Sequence, residues 1–209
     1  MFYDRLEAGH LLAKKLDKYK NSKSILLAVP RGGVPVTYAI AQDLNLPVDL
    51  ILTKKIGHPF NKEYAIGAAS MNDYIISAKG EEVDNKYIQE EVVRVQNRLR
   101  EMNRLFHAPS KPTSLKGKTV IIVDDGIATG STLLHSIQLI KKEKPSKIII
   151  AVPVASNSSQ DKLRGEVDEL IVLESHEFFR GVGAYYELFD QVSDEEVIKF
   201  LNSLTYITH

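Results

Sequence analysis

Apolar positions along the chain change rhythm several times, and each change predicts an element. Residues 4–20 place Leu6, Leu11, Leu12, Leu16 and Tyr19 at roughly helical spacing among charged side chains, which predicts a helix. The run Ile25-Leu26-Leu27-Ala28-Val29 is too short for a helix and is closed by Pro30-Arg31-Gly32-Gly33, so it reads as a buried strand. A helix is expected over 34–44, with Pro35 suited to its first turn, and a second strand over 49–53. Strand, helix, strand implies a parallel sheet. The middle departs from this. Residues 64–70 and 74–77 suit a hairpin across Met71-Asn72-Asp73. A long helix over 85–106 carries Ile88, Val92, Val95, Leu99, Met102 and Phe106 on one face. That stripe predicts docking on its own domain or on a subunit partner, so a homodimer is conceivable. Residues 108–115, with two prolines, read as a linker. Alternation then resumes: strand 119–123, helix 129–143, strand 148–152 ended at Pro153, short helix 158–165, strand 169–173. Ser193-Asp194-Glu195-Glu196 is a capping box opening a last helix to about 204.

This is an α/β pattern: one domain over 1–209, a doubly wound and mainly parallel sheet, with a hairpin and long-helix insertion at about 58–114. The 209 residues include 27 basic and 27 acidic side chains. That balance argues against a whole-surface grip on nucleic acid or an anionic membrane. No cysteine is present, which removes disulfides, thiolate nucleophiles and cysteine metal sites. No run approaches the roughly 20 apolar residues of a membrane span, and Met1-Phe2-Tyr3-Asp4-Arg5 lacks a signal-peptide core behind it. A cytoplasmic protein is expected.

The chemistry concentrates in Val123-Asp124-Asp125-Gly126-Ile127-Ala128-Thr129-Gly130-Ser131-Thr132. A buried strand ends in two carboxylates, a small-residue loop follows, and a helix begins. Ligands of open α/β sheets bind at strand C-terminal ends, and a helix N-terminus flanked by hydroxyls suits a phosphate. Adjacent carboxylates suit neighbouring hydroxyls, as on a ribose. The reading is a sugar phosphate, with its diol on Asp124 and Asp125 and its phosphate on Ala128, Thr129, Gly130, Ser131 and Thr132. The loop lacks the Gly-Lys-Ser/Thr ending of a P-loop.

This run resembles the ribose-5-phosphate signature of type I phosphoribosyltransferases, which use phosphoribosyl pyrophosphate (PRPP). Ala28-Val29-Pro30-Arg31-Gly32-Gly33-Val34-Pro35, Lys54-Lys55-Ile56-Gly57, Tyr64-Ala65-Ile66-Gly67 and Gly183-Ala184-Tyr185-Tyr186 resemble a bacterial branch of the family whose acceptor is unassigned. The resemblance implies a pyrophosphate loop after the first core strand, where Arg31, Gly32 and Gly33 stand. Glycines let backbone N–H groups approach an anion, and Arg31 adds a fork of charged donors. Lys54 and Lys55 are expected to end the next strand, with one of them reaching the pyrophosphate. Magnesium is implied, held mostly by PRPP oxygens and water. The segment 58–69 resembles the family's mobile catalytic loop, and Glu63 or His58 are candidate acids or bases. An acceptor-binding hood is expected at about 174–190, with Phe178, Phe179 and Tyr185 placed to stack on a planar base. His176 with Glu174 and Glu177 reads as a polar loop rather than a metal site. Where the 6-oxopurine enzymes of the family carry an aspartate that handles the base's proton, this chain has Ala128, which speaks against hypoxanthine or guanine.

The implied activity is Mg-dependent transfer of ribose 5-phosphate from PRPP to a nitrogenous, nucleobase-like acceptor, with PRPP and that small molecule as partners. A non-catalytic PRPP- or nucleotide-sensing regulator is the alternative. A PRPP synthetase-like kinase would want an ATP site, and none is evident.

Overall fold

The structure is a computed structural model that describes residues 1–107 and 113–205. The expected linker at 108–115 lies mostly outside the described residues. The chain divides into two compact units. The first comprises Met1–Ile51, Pro112–Gly130 and Lys144–His209, and the second Leu52–Lys111 and Ser131–Glu143.

The first unit is built on a five-stranded sheet: β1 (Ser24–Ala28), β2 (Val48–Leu50), β6 (Thr119–Val123), β7 (Lys147–Ser156) and β8 (Glu169–His176), in the order β2-β1-β6-β7-β8. Every pairing in it is parallel. Parallel strands buried on both faces read as unbroken apolar runs, and β1 and β6 do so: Ile25, Leu26, Leu27, Val120, Ile121 and Ile122 are all buried. Alternate residues face one core with α1 (Arg5–Lys15), α2 (Gly33–Leu44) and α6 (Asp194–Thr205). Leu26, Ile121 and Ile149 of the sheet pack there with Leu12, Leu16, Ile40 and Leu44. The helix α5 (Asn157–Arg164) lies against β7 and β8.

Helix ends follow local chemistry. Asp4 caps α1 by accepting from the Glu7 N–H at 2.8 Å. Ser193 and Glu196 form the reciprocal capping box of α6, at 2.8 and 3.1 Å. The strand β7 does not stop at Pro153 as expected; it runs on to Ser156. Proline removes one N–H from the ladder, and the pairing with β8 steps over it, from Val152↔Val172 to Val154↔Glu174.

The second unit holds a three-stranded antiparallel sheet of β3 (Lys54–His58), β4 (Asn61–Ala69) and β5 (Tyr74–Ile76). It also holds α3 (Asn85–His107) and α4 (Ser131–Lys142). The β4–β5 hairpin turns at 71–73 as the sequence suggested. The stripe on α3 is covered: Ile88, Val92, Val95, Leu99 and Phe106 are buried, and the helix packs on β3 and β4. Tyr87 Oη donates to the Gly57 carbonyl at 2.7 Å, joining α3 to β3. The second strand of the chain differs from its expectation. β2 ends at Leu50, and Lys54 and Lys55 open β3 in a different sheet rather than closing a strand of the parallel one. Among the described residues no helix is long and apolar enough to cross a membrane.

Candidate functional site

The order β2-β1-β6-β7-β8 sets a switch point. The chain leaves β1 for β2 on one side and returns to β6 on the other, so the crevice beyond the carboxyl ends of β1 and β6 is where such sheets bind ligands. Ala28 of β1 is in register with Val123 of β6. Pro30-Arg31-Gly32 and Asp124-Asp125 are therefore neighbours at one sheet edge. A cavity of about 520 Å3 opens there, lined by Arg5, Val29, Pro30, Arg31, Gly32, Asp124, Asp125, Phe189, Asp190, Gln191 and Val192. Its size falls within the range of small-molecule sites.

The two glycines serve close packing. A Cβ on Gly32 would stand 2.6 Å from Asp125 Cγ, and one on Gly33 would stand 2.7 Å from the Val123 carbonyl oxygen. Only a residue without a side chain lets the first loop lie against the acidic strand end. The Pro30–Arg31 peptide bond is cis.

The acids differ in their surroundings. Asp124 accepts its neighbour's backbone N–H, Asp125 N to Asp124 Oδ1, at 2.8 Å. Burial, followed by the charge of Asp125, pushes the Asp124 carboxyl well above the usual carboxylate range. Asp125 Oδ2 accepts from Arg5 Nε at 2.9 Å, in a pair whose side chains are 11% and 14% exposed. The backbone carbonyl of Asp125 accepts from Tyr186 Oη at 2.6 Å. Burial is also the main reason that phenol is driven upward. Arg31 is paired as well: its Nε stands 2.8 Å from Asp194 Oδ1, at the first turn of α6.

The loop after the acids is fastened through its carbonyls. Ser159 Oγ donates to the Ile127 carbonyl at 3.3 Å, Ser156 Oγ to that of Ala128 at 2.7 Å, and Lys162 Nζ to that of Thr129 at 3.4 Å. Ile127 N donates to the Val154 carbonyl at 2.9 Å. Among the described residues the N–H groups of Ala128, Thr129 and Gly130 have no acceptor. Gly126 and Ile127 are buried, Ala128 and Thr129 are exposed, and Gly130 takes a positive φ of 70° immediately before Ser131 and Thr132 open α4. Amide donors left without an acceptor ahead of a helix N-terminus can bind a phosphate.

The aromatic segment joins the same unit through the N-terminus. Phe2 N donates to the Tyr185 carbonyl, and Glu187 N to that of Phe2, each at 2.9 Å. Tyr185 is stacked on His176 at 4.1 Å between ring centroids and lies 5.1 Å from Phe179. Phe178 is 85% exposed. The second unit holds the remaining predicted residues. Burial pushes the Lys54 ammonium down, assisted by Arg98 and Arg94. Lys55 faces Ala68 in the β3–β4 pairing. His58 Nδ1 accepts from the Phe60 N–H at 3.3 Å. Glu63 lies on β4, and its side chain is outside the described residues.

The oxygen donors of Asp124 and Asp125 suit a hard cation. Among the described residues no group of three acidic or imidazole side chains gathers to enclose one. The residues present fit magnesium only as a cation completed by ligand oxygens and water.

Sequence reasoning missed Arg5, Phe189 and Asp194. Arg5 reads as a charge on an amphipathic helix, 120 positions from the acid it meets, and no local pattern signals that pairing. Tyr186 stood inside a recognised segment without a role.

Comparison with known proteins gives the family and the fold. The sequence model of the family described as phosphoribosyl transferase domain matches residues 3–187. A Mycobacterium tuberculosis protein named "Putative phosphoribosyl transferase" is 33% identical over 214 residues, covering 97% of this chain and 46% of that protein. The chain thus spans about half the length of the curated relatives it matches. The crystal structure of TT1426 from Thermus thermophilus superposes with a TM-score of 0.89 at 32% identity, covering 98% of this chain and 99% of that one. A Neisseria gonorrhoeae protein solved with bound ppGpp shares the fold at a TM-score of 0.53 and 12% identity, over 97% and 96% of the two chains.

Proposed function

Because this chain belongs to the phosphoribosyl transferase domain family, a family of phosphoribosyltransferase enzymes, we propose that it transfers ribose 5-phosphate from PRPP to a nitrogenous, nucleobase-like acceptor and releases pyrophosphate. The observation that carries this reading is the switch-point cavity. Its two carboxylates and its arginine loop stand at one edge of one sheet, and the loop 126–130, which does not line the cavity, follows the carboxylates directly in the chain.

In this reading the ribose diol lies on Asp124 and Asp125, and the 5-phosphate on the amides and hydroxyls of Ala128, Thr129, Gly130, Ser131 and Thr132. The pyrophosphate lies on Arg31 and the backbone of Gly32 and Gly33. The bond from the anomeric carbon to the pyrophosphate oxygen breaks as the ring gains positive charge. A bond to the acceptor nitrogen forms on the opposite face, and that nitrogen gives up a proton. Arg31 must exchange the Asp194 carboxylate for a phosphate oxygen, and its charge then offsets that of the leaving group. The acids hold the sugar and face the developing cation. Magnesium, bound through PRPP, would supply charge neutralisation of the polyphosphate. Alanine at Lys54 and at Lys55 tests, through the KM for PRPP, the expectation that one of them reaches the pyrophosphate. The acceptor approaches the aromatic segment of Phe178, Phe179 and Tyr185, a reading supported by Tyr186, which fastens that segment to Asp125.

A screen of nucleobases and amines with Mg-PRPP, read as pyrophosphate release, tests the proposal. Release that depends on one acceptor class is expected. PRPP binding without release for any acceptor would instead indicate a sensor of the same ligand.

A further inference from the structure

Asp125 is held at both its side chain and its backbone carbonyl by residues far away in the chain. Residues 1–5 and 185–190 are zipped together. Beyond the Phe2 bonds, Leu188 N donates to the Tyr3 carbonyl at 2.9 Å. From this double segment two groups reach Asp125: Tyr186 takes its backbone carbonyl, and Arg5 takes Oδ2 of its carboxylate. Arg5 is itself held on three sides. Nε faces Asp125, Nη1 donates to the Asp190 carbonyl at 2.9 Å, and the guanidinium lies 3.8 Å over the Phe189 ring centroid. A planar cation fixed by a carbonyl, a carboxylate and an aromatic face has little freedom to turn. It therefore dictates the rotation of the carboxylate it meets.

One oxygen of each acid is then committed to the protein: Asp124 Oδ1 to the Asp125 N–H, and Asp125 Oδ2 to Arg5. Arg5 leaves Asp125 Oδ1 over, beside the Asp124 carboxyl that lies against it, and that oxygen is an acceptor a hydroxyl of a vicinal diol can take. We propose that Arg5 is a positioning residue for diol recognition: it sets Asp125 Oδ1 toward a bound ribose. This gives the site a preference for ribose over deoxyribose phosphates, exerted through Asp125 rather than by contact with the sugar. The inference rests on the sugar-phosphate reading above and extends it to a residue far from the motif.

The test uses the whole chain and three probes: ribose 5-phosphate, 2-deoxyribose 5-phosphate and inorganic phosphate, titrated calorimetrically into wild type, Arg5→Met and Arg5→Lys. Met keeps an unbranched apolar stem and has neither charge nor donor. Lys keeps the charge but cannot donate to Asp125 and Asp190 together. In wild type, ribose 5-phosphate should bind more tightly than its 2-deoxy analogue. Arg5→Met should weaken ribose 5-phosphate by about tenfold or more, the scale of one lost hydrogen bond to a charged group. It should leave inorganic phosphate unchanged, so the deoxy preference falls toward one. Arg5→Lys should lie between, and it decides the matter if Arg5→Met does not fold by circular dichroism. A purely structural ion pair would lower Tm in both variants and keep the ribose preference, which overturns the proposal. Equal weakening of all three probes also overturns it. If wild type binds inorganic phosphate but does not distinguish the two sugars, the diol reading of Asp124 and Asp125 fails beneath it, independently of any Arg5 variant.

Discussion

Alanine in place of Gly32 drives a methyl group onto the Asp125 carboxylate. The backbone at Gly32 is ordinary helical, with φ −60° and ψ −34°, so the substitution brings no dihedral strain and its effect is purely steric. The new Cβ would stand 2.6 Å from Asp125 Cγ and closer still to Oδ2. The carboxylate cannot readily yield, because Arg5 holds its side chain and Tyr186 its backbone. Overpacking of this kind costs about 1–3 kcal/mol. At about 2–4 °C per kcal/mol for a chain of this size, Tm should fall by roughly 2–12 °C. Gly165→Ala supplies the control. Nothing lies within 4 Å of its ideal Cβ, and its φ of −79° accepts alanine, so it should stay within about 0.5 kcal/mol of wild type. Thermal melts of the three proteins by circular dichroism, each with and without ribose 5-phosphate, make the comparison. Gly32→Ala should melt lower and lose its ligand-induced rise, while Gly165→Ala retains both. If Gly32→Ala melts with Gly165→Ala and keeps the ligand shift, the first loop does not lie against Asp125 in the way described.

Two further outcomes follow from the charges at the cavity. Asp124 is raised in the folded state from an ordinary value of 3.8, so its contribution to stability is complete below that value and lost as pH climbs through the raised one. Asp124→Asn removes that loss and keeps the Oδ1 acceptor for the Asp125 N–H. It should therefore raise Tm at pH 7, with the gain shrinking toward pH 4; a gain that grows toward low pH would reverse the sign assigned to this acid. Asp194 competes with a phosphate for Arg31. As a pair with side chains 43% and 34% exposed, it is worth at most about 1 kcal/mol. Asp194→Asn should tighten pyrophosphate binding by up to about fivefold, with the gain fading at high salt, and unchanged or weaker binding would mean that Arg31 does not face the anion.

Much of the fold was legible because buried parallel strands leave unbroken apolar runs: Ile25 to Val29 and Val120 to Val123 announced β1 and β6 directly. The run at 49–53 misled for the same reason. Ile51 and Leu52 are buried although they belong to no strand, so apolar character did not mark where β2 ends. Strand pairing decided that, and it also let β7 continue past Pro153. The acids and the loop after them were legible because carboxylates, glycine and hydroxyls sit together in the chain. What holds them was not. Arg5 meets Asp125 across 120 positions and Arg31 meets Asp194 across 163, and each reads locally as a charge on a helix or loop. The glycines after Arg31 were read as room for an anion; the structure adds that they make room for Asp124 and Asp125.

The central claim is that the acidic end of β6 and the loop after it form a PRPP site. Titration calorimetry of Mg-PRPP into wild type and Asp125→Asn tests it most directly. The account predicts one binding event per chain in wild type, with a matching rise in Tm by mass action, and its loss in Asp125→Asn while the fold is kept. No binding to wild type, or binding undiminished in Asp125→Asn, would contradict it.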